Sequence, residues 1–433
     1  MFSKILTMKK ALSCLAAIAL CGMMLSGSLY GQEKKTLPTM EMNVKLNKDI
    51  KDTDPHPIHL SEQQRKFVAD NNAFTLGFLK TVNDEEGKSF VYSPLSITYV
   101  LSMVNDAAEG ATEKELEKVL GFGDGGIKEM NEFCKTLIDS LPIVDRQVQL
   151  HIANAIFVNH RYQLKEAFQS DMKKYYGALA ESLDFTQQES LNHINGWCNE
   201  KTKEMIPTIL EKLDPSVVTY LLNAIYFKAN WSLEFNKDNT QKELFTVAKK
   251  QIEVSMMHQE NKFRYVKNST FAAVDLPYSN GMWCMTVMLP NEGNTTGDVI
   301  DYLAENGMAF SREARLTKVD LKLPRFETES STPDLIETMK TMGIHRVFSP
   351  SLSEVPNMCS DRLYISMMLQ KARIKVNETG SEAAAVTVAA MTKCTSVPQP
   401  ELPVIFHADR PFVYVIREAS TGIILFVGKY AGE

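Results

Sequence analysis

One stretch limits what this chain can fold into more than any other: Glu378-Thr-Gly-Ser-Glu-Ala-Ala-Ala-Val-Thr-Val-Ala-Ala-Met-Thr-Lys-Cys-Thr395. It is uncharged from Ala383 to Thr392. Its alanines favour a short helix by propensity. A period of two gives a different reading. Ser381, Ala383, Ala385, Thr387, Ala389 and Met391 then share one small, uncharged face, and Glu382 lies on the other. Such a segment suits a strand slipped between two existing strands. Fifteen residues at about 3.3 Å each span roughly 50 Å, so a large sheet is needed to receive it. Three prolines follow, Pro398, Pro400 and Pro403. Proline has no amide hydrogen and resists central strand positions. The region therefore reads as an exposed loop, strand-compatible in its first half only. From these residues alone, an alanine-rich surface helix or linker stays open.

At 433 residues the chain is long enough for one large domain or for two to three ordinary ones. The formal charge is −6 without a basic cluster, which argues against nucleic acid as a partner. Residues 1–31 have the pattern of an export signal. Lys9-Lys10 precede an apolar run from Ala11 to Leu25, and small residues follow at Ser26, Gly27, Ser28 and Gly31. Removal of its three lysines takes the charge from −6 to −9. A lipid anchor on Cys21 is the less favoured reading, because the preceding Leu20 is bulky. The expected location is secreted, periplasmic or cell-envelope. Nothing after residue 31 is apolar for long enough to cross a membrane as a helix. Cys134, Cys198, Cys284, Cys359 and Cys394 remain, an odd number without CxxC or zinc spacing.

Residues 32–60 are polar and weakly periodic, the pattern of a flexible lead-in. Ser61 offers a helix start, and Ser93-Pro94 an N-cap and first-turn pair ahead of a helix apolar almost all round. Residues 113–120 predict a short helix, and 190–210 contain an amphipathic one. Gly121, Gly123 and Gly126 match GxGxxG, but they follow a helix instead of a strand, so helix capping explains them better than a nucleotide. Strands are predicted at 148–158, at 217–227 (buried on both faces), and at 263–265, 272–276, 282–288, 319–323, 374–376, 404–406, 412–416 and 423–427. Early helices and a long tail of strands make an α+β chain, with residues 61–433 as one domain.

There is no GxSxG, HExxH, P-loop or calcium-loop pattern, and no metal or cofactor is expected. A thiol–imidazole pair of Cys394 and His407 is conceivable as hydrolase chemistry, but a nucleophilic cysteine needs a rigid site, and this one sits beside a proline-rich loop.

The stretch Glu378–Thr387 resembles the hinge that serpins place before their reactive loop, and further motifs occur in family order. They are Phe90-Val-Tyr-Ser-Pro-Leu-Ser-Ile97, Ala153-Asn-Ala-Ile-Phe157, Ile194-Asn-Gly-Trp197, Leu222-Asn-Ala-Ile-Tyr-Phe-Lys-Ala-Asn-Trp231, Val274-Asp-Leu-Pro-Tyr278, Leu323-Pro-Arg-Phe326, Ala408-Asp-Arg-Pro-Phe412 and Phe426-Val-Gly-Lys429. The resemblance covers nearly all of residues 62–430. It implies a large five-stranded central sheet, additional sheets, eight to nine helices and an exposed reactive loop at about 378–403. It also implies a non-enzymatic suicide substrate that traps serine, and also cysteine, endopeptidases by inserting the cut loop into the sheet. A non-inhibitory binding or carrier protein is the alternative.

Site residues follow from the same resemblance. The hinge is Glu378, Gly380, Ser381, Glu382, Ala383, Ala384, Ala385 and Thr387. Counting from Glu378 puts the bait bond at Cys394–Thr395, for elastase-like proteases. The neighbouring Lys393 is the alternative, for trypsin-like ones. Ser93, Ser96 and Asn223 match the shutter beneath the sheet. Gln370 stands where the family often has histidine, which leaves the tightness of this shutter open. Trp231 matches the breach where insertion starts, and Glu378 is expected to pair with Arg325. No basic helix face resembles the family's heparin site. A monomer is expected.

Overall fold

In the computed structural model, residues 54–85, 88–123, 125–248, 250–330, 334–381 and 402–432 are described. By internal contacts the chain divides into Met1–Lys51 and Asp52–Glu433, and all the described residues belong to the second unit. The export signal, Cys21, Glu382, Ala383, Ala384, Ala385, Thr387, Lys393, Cys394 and Thr395 lie outside the described residues.

The first half holds most of the helices: α1 (Glu62–Glu85), β1 (Phe90–Tyr92), α2 (Pro94–Ala107), α3 (Gly110–Leu120), α4 (Gly126–Ser140), β2 (Gln149–Asn159), α5 (Glu166–Tyr176), β3 (Leu179–Leu183) and α6 (Gln188–Lys201). The second half is mostly strands: β4 (Thr219–Asn230), β5 (Gln241–Val247), β6 (Lys250–Lys267), β7 (Phe271–Tyr278), β8 (Trp283–Pro290), α7 (Thr296–Asn306), β9 (Arg315–Pro324), β10 (Phe326–Glu329), α8 (Ile336–Thr341), β11 (Met367–Asn377), β12 (Gly380–Ser381), β13 (Val404–His407), β14 (Phe412–Glu418) and β15 (Ile424–Tyr430).

Local signals act where the sequence places them. Ser61 and Gln64 close a reciprocal capping box at the start of α1, with bonds of 3.0 and 3.1 Å. Ser93 caps α2, and Gly121 ends α3 in the left-handed region, φ +81°. Contacts to the core begin ahead of α1, where Ile58 and Leu60 are buried. One helix is shorter than expected. α6 stops at Lys201, and Lys203 and Glu204 follow with φ of 54° and 66°, so Ile206 lies in the connection to β4. The strand expected at 263–265 is the end of the 18-residue β6. Its charged residues mask the pattern in the sequence.

One sheet runs β10-β11-β12-β4-β2-β3, the expected five strands with β12 added inside. Its two faces explain the apolar run in β4. Ile194 and Trp197 of α6 pack with Phe157, Tyr220 and Leu222 on one side. The main core, with the buried helix α2, takes Leu221, Ile225 and Phe227 on the other. The second sheet runs β1-β15-β14-β8-β7-β6-β9-β13, with β5 beside β6. Among the described residues no helix is long and apolar enough to cross a membrane.

Candidate functional site: a sheet parted around the base of a loop

β4 and β11 run parallel and pair from Tyr220↔Met367 to Ile225↔Ala372. Beyond that point they separate, and β12 enters antiparallel to both. Ser381 pairs with Val376 and Ala229, and Gly380 with Asn377 and Asn230. Admitting one strand widens the spacing from about 4.8 Å to about twice that. Two residues of that stretch, Gly380 and Ser381, are therefore already inside the sheet.

Each side chain here is held by a specific contact. Ser381 is fully buried, with its hydroxyl 2.8 Å from that of Tyr278. Tyr278 stacks on Trp231 at 4.3 Å between ring centroids. Trp231 donates its indole N–H to the carbonyl of Asn377 at 2.9 Å, and its backbone N–H to that of Thr379 at 2.8 Å. Gly380 has φ +150°, and a Cβ there would overlap the carbonyl of Ala229. Only glycine lets the hinge enter so closely.

The expected Glu378–Arg325 pair forms, and it is more buried than an exposed surface pair. Glu378 keeps only 3% of its side-chain surface against 45% for Arg325. Its carboxylate accepts from Arg325 Nε at 2.6 Å and from the Thr240 hydroxyl at 2.5 Å, and it also meets Arg325 Nη2. Burial pushes this carboxyl up, but the bonds from Arg325 and Thr240 outweigh it and hold the group below the usual glutamate range. A carboxyl with a depressed folded-state pKa stabilises fully above its unfolded value of about 4.5 and loses that contribution as pH falls through the folded value. Acid should therefore loosen the hinge. Arg325→Ala, which leaves a buried carboxylate with one donor fewer, is expected to cost about 1–2 kcal/mol. That is below the figure for a fully buried pair, since Arg325 is half exposed. Denaturation midpoints between about pH 3 and 7 check both, and a variant with wild-type midpoints throughout would refute the assignment.

Beneath the parted strands, Gln370 of β11 closes a buried network. Its amide accepts from Ser93 N at 2.8 Å and donates to Ser93 O at 3.0 Å and Asn223 Oδ1 at 2.9 Å. Asn223 donates to Asn154 Oδ1 at 2.8 Å, and the Ser93 and Ser96 hydroxyls are 3.2 Å apart. Glutamine thus ties together the residues expected to form the shutter. Asn154 on β2 was not singled out from the sequence, although it lies within the motif Ala153–Phe157.

Cys394 of the thiol–imidazole alternative lies outside the described residues, and His407 lies 3.3 Å from Asp320. The four described cysteines are free and buried. Burial pushes the Cys134 and Cys198 thiols up to about 12 and Cys284 higher still, so none of these three is a ready thiolate. Among the described residues no group of three or more His, Cys, Asp or Glu is placed to hold a metal.

Comparison with known proteins agrees with this geometry. Residues 69–432 match the serpin (serine protease inhibitor) family. A serpin-like protein of Thermococcus kodakarensis is 32% identical over 412 residues, covering 93% of this chain and 95% of its own. Serpin B6 of Macaca fascicularis is 32% identical, covering 83% of this chain and 98% of its own. Among solved structures, the native thermophilic serpin tengpin superposes with a TM-score of 0.78 at 27% identity, covering 87% of this chain and 96% of its own. Human thyroxine-binding globulin in complex with thyroxine also scores 0.78 at 27% identity, covering 86% and 99%. Motifs, parted sheet and relatives converge: the chain belongs to the serpin family.

Proposed function

We propose that this serpin is an exported suicide-substrate inhibitor of serine endopeptidases, with cysteine endopeptidases as a second target class. The observation that carries the reading is β12, two hinge residues seated between β4 and β11. A loop already started into the sheet has a defined path for the rest of its length. The small, uncharged residues Ala383, Ala385 and Thr387 suit the buried positions next in line. A protease attacks the loop at Cys394–Thr395, or after Lys393, and forms an acyl-enzyme. Insertion of the cut loop then carries the bound protease across the molecule before the ester is hydrolysed. Stored conformational energy does the work, and no catalytic group of this chain takes part.

The test is incubation with elastase-like and trypsin-like proteases, followed by a denaturing gel. A boiling-resistant complex is expected, and the released peptide, weighed by mass spectrometry, identifies the bond. Nicked protein should also melt higher than intact protein. Cleaved serpin alone, with an unchanged melting temperature, would defeat the proposal and favour the carrier reading. That alternative draws on the likeness to thyroxine-binding globulin and on a cavity of about 440 Å³ lined by Arg264, Asp275, Arg312 and Arg417.

A further inference from the structure

A slot one strand wide has to be held open, because two strands with nothing between them pair directly. β4 and β11 do so as far as Ile225↔Ala372. Beyond that point the tip of β4 is held from outside its own sheet, by the turn that joins β7 to β8 at residues 279–282. Ser279 N–H donates to Asn230 O at 2.8 Å, and Ser232 N–H to Pro277 O at 2.9 Å. The Ser232 hydroxyl donates to Ser279 O at 2.7 Å, and Trp231 forms an isolated bridge with Tyr278.

The same turn grips the lead-in to β2, the strand that pairs with β4 from Gln149↔Lys228 onward. Asn280 N–H donates to Asp145 Oδ2 at 3.1 Å, and the Ser279 hydroxyl to Gln147 Oε1 at 3.3 Å. Asp145 is 1% exposed, and its other oxygen accepts the Gln147 N–H at 3.0 Å. Both strands on one flank of the slot are thus tied to the second sheet through one short turn.

That turn is strained where it grips. Gly281 N–H donates to Tyr278 O at 2.7 Å, which makes Ser279 the first central residue of a β-turn, with φ +41°. A positive φ at that position favours glycine. A serine keeps such a conformation only where its surroundings over-determine it, and residues of this kind gather at clamps and switch regions. Here the N–H, the carbonyl and the hydroxyl of Ser279 are all engaged by β4 or by the lead-in to β2.

We propose that the β7–β8 turn is a clasp that fixes the tip of β4 one strand-width from β11, with Asp145 and Ser232 as its positioning residues. The pair of Glu378 and Arg325 holds the hinge, whereas the clasp holds the slot that the hinge enters. The consequence for trapping rests on the inhibitor reading: a cut loop meets a slot already spaced for its first residues, and the pairs from Ile225↔Ala372 onward part from an end that stays in place.

Hydrogen exchange on the full chain tests this. The amides of Trp231 and Phe235 donate to Thr379 O at 2.8 Å and to Glu378 O at 2.9 Å, so they report whether the hinge is seated. Their rates are taken relative to β14 in the same molecule. Asp145→Ala, and Ser232→Ala at an exposed position, should each raise that ratio about three- to tenfold, the effect of one lost hydrogen bond. Asp145→Asn keeps an acceptor for the Asn280 N–H and should lose less than Asp145→Ala. Wild-type ratios in both alanine variants, or a rise spread evenly along β4 instead of confined to its tip, would overturn the proposal. Trapping is scored separately, as complex against cleaved serpin on denaturing gels. The loosened variants should shift toward cleaved serpin, and if they trap protease as well as the wild type, the turn does not position the loop and the proposal falls. If the wild type traps nothing while the tip still loosens in the variants, the clasp stands and the inhibitor reading falls.

Discussion

Replacing Ser381 by arginine is expected, on the proposed inhibitory function, to leave a protein that proteases cleave as a substrate without being trapped. Ser381 is fully buried, and its hydroxyl meets that of Tyr278 at 2.8 Å. Its strand is flanked on both sides, by Val376 and by Ala229. A guanidinium placed there would have to leave water without a partner, at a cost of several kcal/mol. The hinge would stay outside the sheet, and the cut loop would stall at its first step. Hydrolysis of the acyl-enzyme would then win the race. Every 1.4 kcal/mol is a factor of ten, so the share of protease caught as covalent complex should fall at least about tenfold, with cleaved serpin rising to match. Densitometry of denaturing gels at several inhibitor-to-protease ratios reads this directly. A complex yield equal to that of the wild type would mean that the loop does not enter the sheet through position 381.

The second large effect is expected at Gln370. Its side chain reaches from β11 to the first residues before α2 and to the middle of β4, making three hydrogen bonds in a buried setting. Gln370→Ala removes all three and leaves the Ser93 N–H and the Asn223 amide short of partners where water does not reach. Each orphaned buried group costs about 1–3 kcal/mol, so a loss of about 2–4 kcal/mol is expected. For a chain of this length that is a fall of about 3–5 °C in the melting temperature. The variant should also lose inhibitory capacity on standing, because the same network keeps β4 and β11 together below the point where they part. A melt within about 1 °C of the wild type would show that the network contributes little.

The sequence was most legible where physics is local. A serine followed by suitable neighbours caps a helix using only its own backbone, and Ser61 and Ser93 did so. Gly121 ends α3 because glycine tolerates the left-handed region. The alternation that put Ser381 on an inward face holds, since its side chain is in the core. Legibility failed where a distant partner decides the outcome. The helix expected within residues 190–210 ends at Lys201, short of the Ile206 that the pattern included. β6 reads as a strand for three residues and extends for eighteen, because β5, β7 and β9 supply its hydrogen bonds whatever its side chains are.

By itself, then, the sequence determined the kind of molecule: the family motifs, the large sheet, and a hinge-like stretch whose alternate residues are small and uncharged. Tertiary structure alone decided the state of that hinge. Nothing in the order of residues says that two of them already lie between β4 and β11. Nor does it say that Glu378 sits almost wholly out of solvent beside a half-exposed Arg325, or that a glutamine 277 residues from Ser93 accepts its backbone N–H in the core. The reason is physical. The size and polarity of a side chain travel with the residue, whereas burial and hydrogen-bond partners belong to pairs of segments far apart in the chain, and they exist only once the sheet has assembled.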